Sequence, residues 1–384
     1  MTRVLPAILL LGSMGVLEAA AAVPPREDPA GEGPTVLFDA RAVRSALWPG
    51  STKASYGEGR PPAGDGAGAP GQGLSLAQLH DVEEWLRQGP DLPDPQPAAA
   101  METDRVVTLE VHLPGDISIP VLVRPPSHDQ ARRQWPMLLA MHGGPVGDDG
   151  EALAAARRMI KVWAQAAERH GWLVAAPAMT MTVAAGPYTP QRLPYEIFHP
   201  EEAEAVIQAV RSRFSINPDR IVSTGISLGS NFSIAFAAAN PDRFAAIVPV
   251  STEGDSREEL LRNLAGVPAY ILEGSQDRNI RKISGPRAMS SILDGFGDDL
   301  VYREFPDRSH EGFQEHYDDV LNWLDSRPRR PYPRTVLRVP HQGIMPLSRR
   351  LYWVESDTRQ GLIKAEIQAR HRVEIAARRV RRIT

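Results

Sequence analysis

The residues with the clearest chemical potential are Gly225-Ile226-Ser227-Leu228-Gly229, a G-x-S-x-G sequence. A serine hydroxyl is a weak nucleophile and needs a neighbouring base. His310 is the candidate among the ten histidines, in the loop Pro306-Asp307-Arg308-Ser309-His310. His316 falls within the helix predicted next and reads as a surface residue. An imidazole base needs a carboxylate to hold its tautomer and to stabilise the imidazolium. Asp277 fits, at the end of Gly274-Ser275-Gln276-Asp277, with Glu253, Asp255 and Glu273 as rivals. Attack on a carbonyl builds an oxyanion, which preorganised N–H donors must meet. The expected donors are Leu228, directly after the serine, and a glycine of His142-Gly143-Gly144. Pro145 follows and has no N–H, so the choice is Gly144, which we favour, or Gly143. His142 reads as structural, bonding the backbone of its own turn. This constellation would perform acyl transfer, and that chemistry requires neither a metal nor an organic cofactor.

Such groups work only if regular elements bring them to one edge. The pattern from Asp104 predicts strands at Val106–Leu113 and Ile117–Val123, joined by Pro114-Gly115-Asp116 as an antiparallel hairpin. Apolar runs at Trp135–Met141, Trp172–Ala178, Arg220–Gly225, Ala245–Val250, Pro268–Glu273 and Leu300–Phe305 then alternate with helical patterns. The helices are predicted at Glu151–Arg169, Glu201–Phe214, Gly229–Ala239, Arg257–Leu264, Ser284–Asp294 and Gly312–Leu324. Alternation of this kind implies an α/β fold with a mainly parallel sheet covered on both faces. Ser227 then sits on a strand–turn–helix elbow at the carboxyl edge, where open α/β sheets bind ligands. Asp277 and His310 follow later strands at the same edge. The loop Thr180–Pro200, with Tyr188, Tyr195, Phe198 and His199, is the longest there.

The flanks read differently. Residues 1–22 have the form of a signal peptide: Thr2 and Arg3, an apolar run from Val4 to Val16, and Ala20 and Ala22 before a cleavage site. The expected mature chain is secreted or periplasmic, and no later stretch is long and apolar enough to cross a membrane. Residues 23–73 are rich in Pro, Gly and Ala and read as a disordered linker, with Leu37–Trp48 as a short ordered patch. A helix is predicted over Leu74–Gln88, and the catalytic domain is read as 74–327. Pro328, Pro331 and Pro333 then mark a boundary. Residues 328–384 predict a small β-rich appendage with strands at Thr335–Val339, Leu351–Val354, Leu362–Ala369 and Arg372–Ala376. A further strand begins at Val380, as in an incomplete unit. This segment holds fourteen Lys/Arg against four Asp/Glu, although the 384-residue chain has a net charge of −4. Total charge therefore gives no support to nucleic-acid binding. The absence of cysteine excludes disulfides, thiolate metal sites and a thiol nucleophile.

Three stretches carry a family resemblance: Ile216-Asn217-Pro218-Asp219-Arg220-Ile221, the Gly225–Gly229 sequence, and Asn240-Pro241-Asp242-Arg243-Phe244 running on to Val250. Together they resemble secreted bacterial serine esterases of the α/β-hydrolase superfamily, such as polyhydroxybutyrate depolymerases and feruloyl esterases. The order Ser, Asp, His agrees with that superfamily. The resemblance implies the eight-stranded α/β-hydrolase sheet, ester hydrolysis, and a small-molecule or polymeric ester as substrate. It carries Ser227, Asp277 and His310 as the triad, with Leu228 and Gly144 as donors. Pro145, and Ser230 where many relatives have glycine, depart from it. His142-Gly143-Gly144-Pro145 and Gly274-Ser275-Gln276-Asp277 also resemble the prolyl oligopeptidase family, which implies a serine peptidase. A third reading is a non-catalytic binding protein built on the same fold.

Overall fold

The computed structural model describes residues 105–384, apart from 114–116, 128–133, 145–147, 180–199, 256, 278–283, 298, 342–346 and 369–371. Before residue 105 it describes three strands: Ala7–Leu10 (β1), Val16–Ala19 (β2) and Thr35–Asp39 (β3). The predicted helix Leu74–Gln88, the turn Pro114-Gly115-Asp116, Pro145 and the aromatic residues of the Thr180–Pro200 loop lie outside the described residues. Contacts divide the chain into two units, one formed by 93–330 with 341–348 and the other by 1–92, 331–340 and 349–384.

The larger unit is built on an eight-stranded sheet. Val107–Leu113 (β4) pairs antiparallel with Ile117–Arg124 (β5), from Val107 opposite Val123 to Leu113 opposite Ile117. Trp135–Met141 (β6), Leu173–Pro177 (β7), Ile216–Ile226 (β8), Ala246–Val250 (β9), Ala269–Gly274 (β10) and Leu300–Phe305 (β11) complete it. The order is β11-β10-β9-β8-β6-β7-β5-β4. The pairs from β7 to β11 are parallel, and β5 joins β7 antiparallel. This is the eight-stranded, mainly parallel sheet with an antiparallel leading hairpin expected from the sequence. Every residue of β7, β9 and β10 is buried, as a parallel sheet covered on both faces requires.

The first helix among the described residues, Asp149–His170 (α1), starts where the Asp148 side chain accepts the Glu151 N–H at 2.9 Å. Its buried residues Ala152, Ala155, Ala156, Met159, Ile160, Trp163, Ala166 and Ala167 form one stripe at helical spacing. Pro200–Arg211 (α2), Leu228–Ala239 (α3), Glu258–Leu261 (α4), Ser284–Asp294 (α5) and Tyr317–Asp325 (α6) follow. Trp163 of α1 stacks on Tyr317 of α6 with ring centroids 3.7 Å apart. The last helix begins later than the predicted Gly312. Phe313 takes a left-handed backbone (φ 51°), and a 3-10 turn over Gln314–His316 comes first. Aromatic packing accounts for the delay: Phe305 stacks on Phe313 at 4.7 Å and on His316 at 4.4 Å. His316 therefore lies in that turn rather than inside a helix.

In the smaller unit Thr335–Arg338 (β12), Leu362–Gln368 (β15) and Arg372–Arg378 (β16) form an antiparallel sheet, ordered β12-β15-β16-β3. Arg350–Leu351 (β13) and Val354–Glu355 (β14) form a hairpin, where the sequence predicted one strand over Leu351–Val354. The chain reverses at Tyr352, which has φ 53°. Val336, Leu351, Val354, Ile363, Ala365 and Ile375 form the core. Within the stretch read as a linker, β3 pairs with β16 from Thr35 opposite Ala376 to Asp39 opposite Arg372, overlapping the start of the expected ordered patch Leu37–Trp48. That strand is far from the segment in sequence, so local composition could not reveal it. In the stretch read as a leader, β1 pairs antiparallel with β2.

Close approach of α3 to the sheet sets the geometry of its amino end. A Cβ on Gly225 would run into the backbone of Gly229, and one on Gly229 into the carbonyl oxygens of Met141 and His142. Helix and strands meet here with no side chain between them. Gly229→Ala is expected to destabilise the protein by about 3 kcal/mol or more, the upper range for overpacking against backbone. Urea unfolding checks this, and an unshifted midpoint would mean that α3 can move away freely.

Candidate active site

Ser227 links β8 to α3 with φ 59° and ψ −127°, outside the regions that L-residues favour. Its N–H donates to the Val250 carbonyl at 3.0 Å. Its carbonyl accepts the Ser230 N–H at 2.9 Å, together with the Ser230 hydroxyl. Ser230 is thus fully buried and turned back on the elbow. Leu228 is the first residue of α3, so its N–H lies beyond the reach of intrahelical carbonyls.

His310 and Asp277 are brought together. His310 Nδ1 lies 2.6 Å from Asp277 Oδ2. The Asp277 side chain is fully buried, while that of His310 is 21% exposed. An ionised carboxylate can only accept, so Nδ1 carries the proton and Nε2 is left as the acceptor. The rivals for the acid are engaged elsewhere: Asp255 with Arg257, Glu253 with Asn231, and Glu273 with the Thr252 N–H.

The loop that carries His310 is fastened to two strand ends. From the β10 side, Gln276 N–H donates to the Arg308 carbonyl at 2.9 Å and Ser275 N–H to the Phe305 carbonyl at 3.0 Å. The Ser275 hydroxyl accepts the Asp307 N–H at 3.0 Å. From the β9 side, the Ser251 hydroxyl donates to the Glu311 carbonyl at 2.8 Å. Ile226, the residue before Ser227, lies against Gly312 of the same loop. Elbow and loop therefore share one end of the sheet, near the point where the strand order reverses between β6 and β8.

Gly143 borders Ser227 directly. A Cβ built on it would lie 3.2 Å from Ser227 Cβ and 3.8 Å from Ser227 Oγ. His142 is buried and sets the turn. Its Nε2 accepts the Met179 N–H at 3.0 Å, so its Nδ1 bears the proton and donates to the Gly143 carbonyl at 2.9 Å. In a trans peptide the N–H projects opposite to the carbonyl, so His142 also fixes the direction of the Gly144 N–H. Burial, aided by the Arg158 charge, holds the His142 pKa below its ordinary value, which keeps this tautomer neutral.

Sequence reasoning weighed Glu273 only as a rival acid, and the structure gives it a different character. It is fully buried on β10, and Oε1 accepts the Thr252 N–H at 2.7 Å. Burial pushes its carboxyl pKa up to about 9, with the Asp277 and Glu304 carboxylates adding to the effect against the Thr252 bond. Glu273 is thus held as a neutral acid within the field of Asp277. Ser251 was also missed: a serine after a strand has no distinguishing mark in sequence. A groove of about 380 Å³ lined by Arg287, Ser290, Ser291, Asp294, Leu300 and Tyr302 includes none of the site residues. Among the described residues no group of three or more His, Cys, Asp or Glu is placed to hold a metal ion. No helix among them is long and apolar enough to cross a membrane.

No family model and no curated protein matches the chain. Among solved structures it is similar to a thermostable esterase, at 21% identity and a TM-score of 0.48 over 59% of this chain and 64% of that one. It therefore spans less than two thirds of that relative's length. It is also similar to a propionate-bound esterase of the planctomycete Thermogutta terrifontis, at 12% identity and a TM-score of 0.44, covering 58% and 93% of the two chains. For an S-formylglutathione hydrolase of Agrobacterium tumefaciens the values are 16% identity, a TM-score of 0.44, and coverage of 57% and 94%.

The raised pKa of Glu273 has a consequence for stability. Its carboxyl is protonated in the folded chain up to about pH 9, whereas the ordinary value near 4.5 applies once the chain unfolds. The contribution is complete below the lower value and is lost as pH rises through the higher one. Between about pH 6 and pH 9 the stability of the wild type should fall by up to about 1.4 kcal/mol per pH unit from this group. Glu273→Gln should remove that slope, as read from urea midpoints across the range.

Proposed function

We propose that the chain is a serine hydrolase that cleaves carboxylic esters through an acyl-enzyme. The observation that carries this reading is the bonded His310–Asp277 pair at the same sheet end as the strained Ser227 elbow. Ser227 Oγ attacks the ester carbonyl as His310 Nε2 takes its proton. The oxyanion is met by the Leu228 N–H and by that of Gly144, with Gly143 beside the nucleophile. Collapse breaks the bond to the alcohol, which leaves with the proton from His310. Water then attacks the acyl-enzyme, giving its proton to His310, and the acid departs as Ser227 recovers a proton. Asp277 holds the ring and stabilises the imidazolium throughout. Small and polymeric esters both remain within this reading.

The wild type should react with a fluorophosphonate probe and turn over p-nitrophenyl acetate, and Ser227→Ala should do neither. Asp277→Asn should lower kcat by about 10⁴-fold through the wrong histidine tautomer. Hydrolysis of peptide anilides at rates matching esters would move the reading to a peptidase. Absence of both labelling and turnover in the wild type would leave a binding protein.

We propose further that the chain is exported, supported by the charged start, apolar run and Ala20/Ala22 pattern of its first residues. Amino-terminal sequencing of protein recovered outside the cytoplasm should then begin at Val23, and recovery of uncleaved chain from the cytoplasm alone would oppose this.

A further inference from the structure

Among the described residues, six other than glycine have a left-handed backbone, and four of these belong to the larger unit: Ser227, Ser251, Asp307 and Phe313. All four surround the candidate site. Ser227 is the elbow, Asp307 and Phe313 flank His310 in sequence, and Ser251 follows β9. Such conformations are uncommon outside glycine, and they persist where surrounding contacts over-determine them.

Ser251 has φ 46° and is 1% exposed. Glycine would adopt this backbone without steric cost. What serine adds is a hydroxyl, and both of its hydrogen-bonding capacities are used on one residue. It donates to the Glu311 carbonyl at 2.8 Å and accepts the Glu311 N–H at 3.2 Å. Glu311 is the residue directly after His310. Bonds from Ser275 and Gln276 grip the loop before His310, at residues 305–308. Ser251 grips it immediately after.

The same strand end reaches the other members. Val250 receives the Ser227 N–H at 3.0 Å, and Ser251 N–H donates to the Leu272 carbonyl of β10 at 2.9 Å. The next residue, Thr252, donates its N–H to Glu273 and its hydroxyl to Asn231 of α3 at 2.8 Å. Nucleophile elbow, acid strand and base loop are thus indexed to one turn.

We propose that Ser251 is a positioning residue for His310, its hydroxyl clamping Glu311 so that the imidazole is held between Asp277 and Ser227. The proposal rests on the ester-hydrolysis reading above. It is tested with Ser251→Ala and Ser251→Gly, both lacking the hydroxyl but differing in backbone strain. Each is expected to lower kcat on p-nitrophenyl acetate by ~10- to 100-fold, the scale of a small misplacement of a catalytic group. KM should stay within about twofold, and fluorophosphonate labelling should slow in step with kcat. A serine that serves stability alone would lower the melting temperature and leave kcat at 25 °C unchanged, which would overturn the proposal. If Ser251→Ala does not fold, Ser251→Gly, relieved of strain, gives the same reading, and failure of both to fold would make the role structural and also overturn it. A wild type without labelling or turnover would remove the ester reading itself, whereas an active wild type matched by both variants would remove only the role of Ser251.

Discussion

Everything at this site depends on how closely α3 approaches the ends of β8 and β6. Met141 and His142 carbonyls lie where a side chain at position 229 would stand, and Gly229 backbone lies where one at position 225 would stand. Because the helix begins so near the strand, the chain has one residue in which to turn, and that residue is Ser227 at φ 59°. The strain is offset by bonds that the turn itself makes possible: the Ser227 N–H to Val250 and the Ser230 N–H to the Ser227 carbonyl. The same closeness sets Gly143 against Ser227, so the candidate nucleophile and the candidate oxyanion turn are consequences of a single packing contact.

Around that contact the polar groups are held by neighbours rather than by solvent. His142 is kept neutral by burial and spends both ring nitrogens on backbone, one on Met179 and one on Gly143. Asp277 is buried against His310, and Glu273, buried on β10, is kept protonated. Burial is the main cause of the Glu273 shift, and the Asp277 and Glu304 charges add to it. The loop bearing His310 is gripped on both sides by the ends of β9 and β10, so the candidate base belongs to the sheet edge as firmly as the elbow does.

Much of this was legible in the residues. Continuous apolar runs such as Ala245–Val250 and Pro268–Glu273 announce strands covered on both faces, and the Ala and Ile spacing of Asp149–His170 announces a helix with one buried stripe. Gly225 and Gly229 bracket the serine because backbone must meet backbone there, and that requirement is visible as residue type. Where local pattern misled, a distant partner was responsible. Helical propensity alone would start α6 at Gly312, but stacking on Phe305 holds Phe313 out of the helix. The strand Thr35–Asp39 finds its pairing partner in Arg372–Ala376, and composition carries no trace of that.

The division is therefore physical. By itself the sequence determined which chemistry is available, because nucleophile, base and acid are residue types, and which elements form, because apolar periodicity and backbone permissiveness are local. Only the tertiary structure decided that Asp277, rather than Glu253, Asp255 or Glu273, bonds His310, and that Glu273 is neutral. It also revealed the clamp of Ser251 on Glu311. Those outcomes depend on distances between strand ends and on burial from every side. They arise from segments dozens of residues apart, which no window along the chain contains.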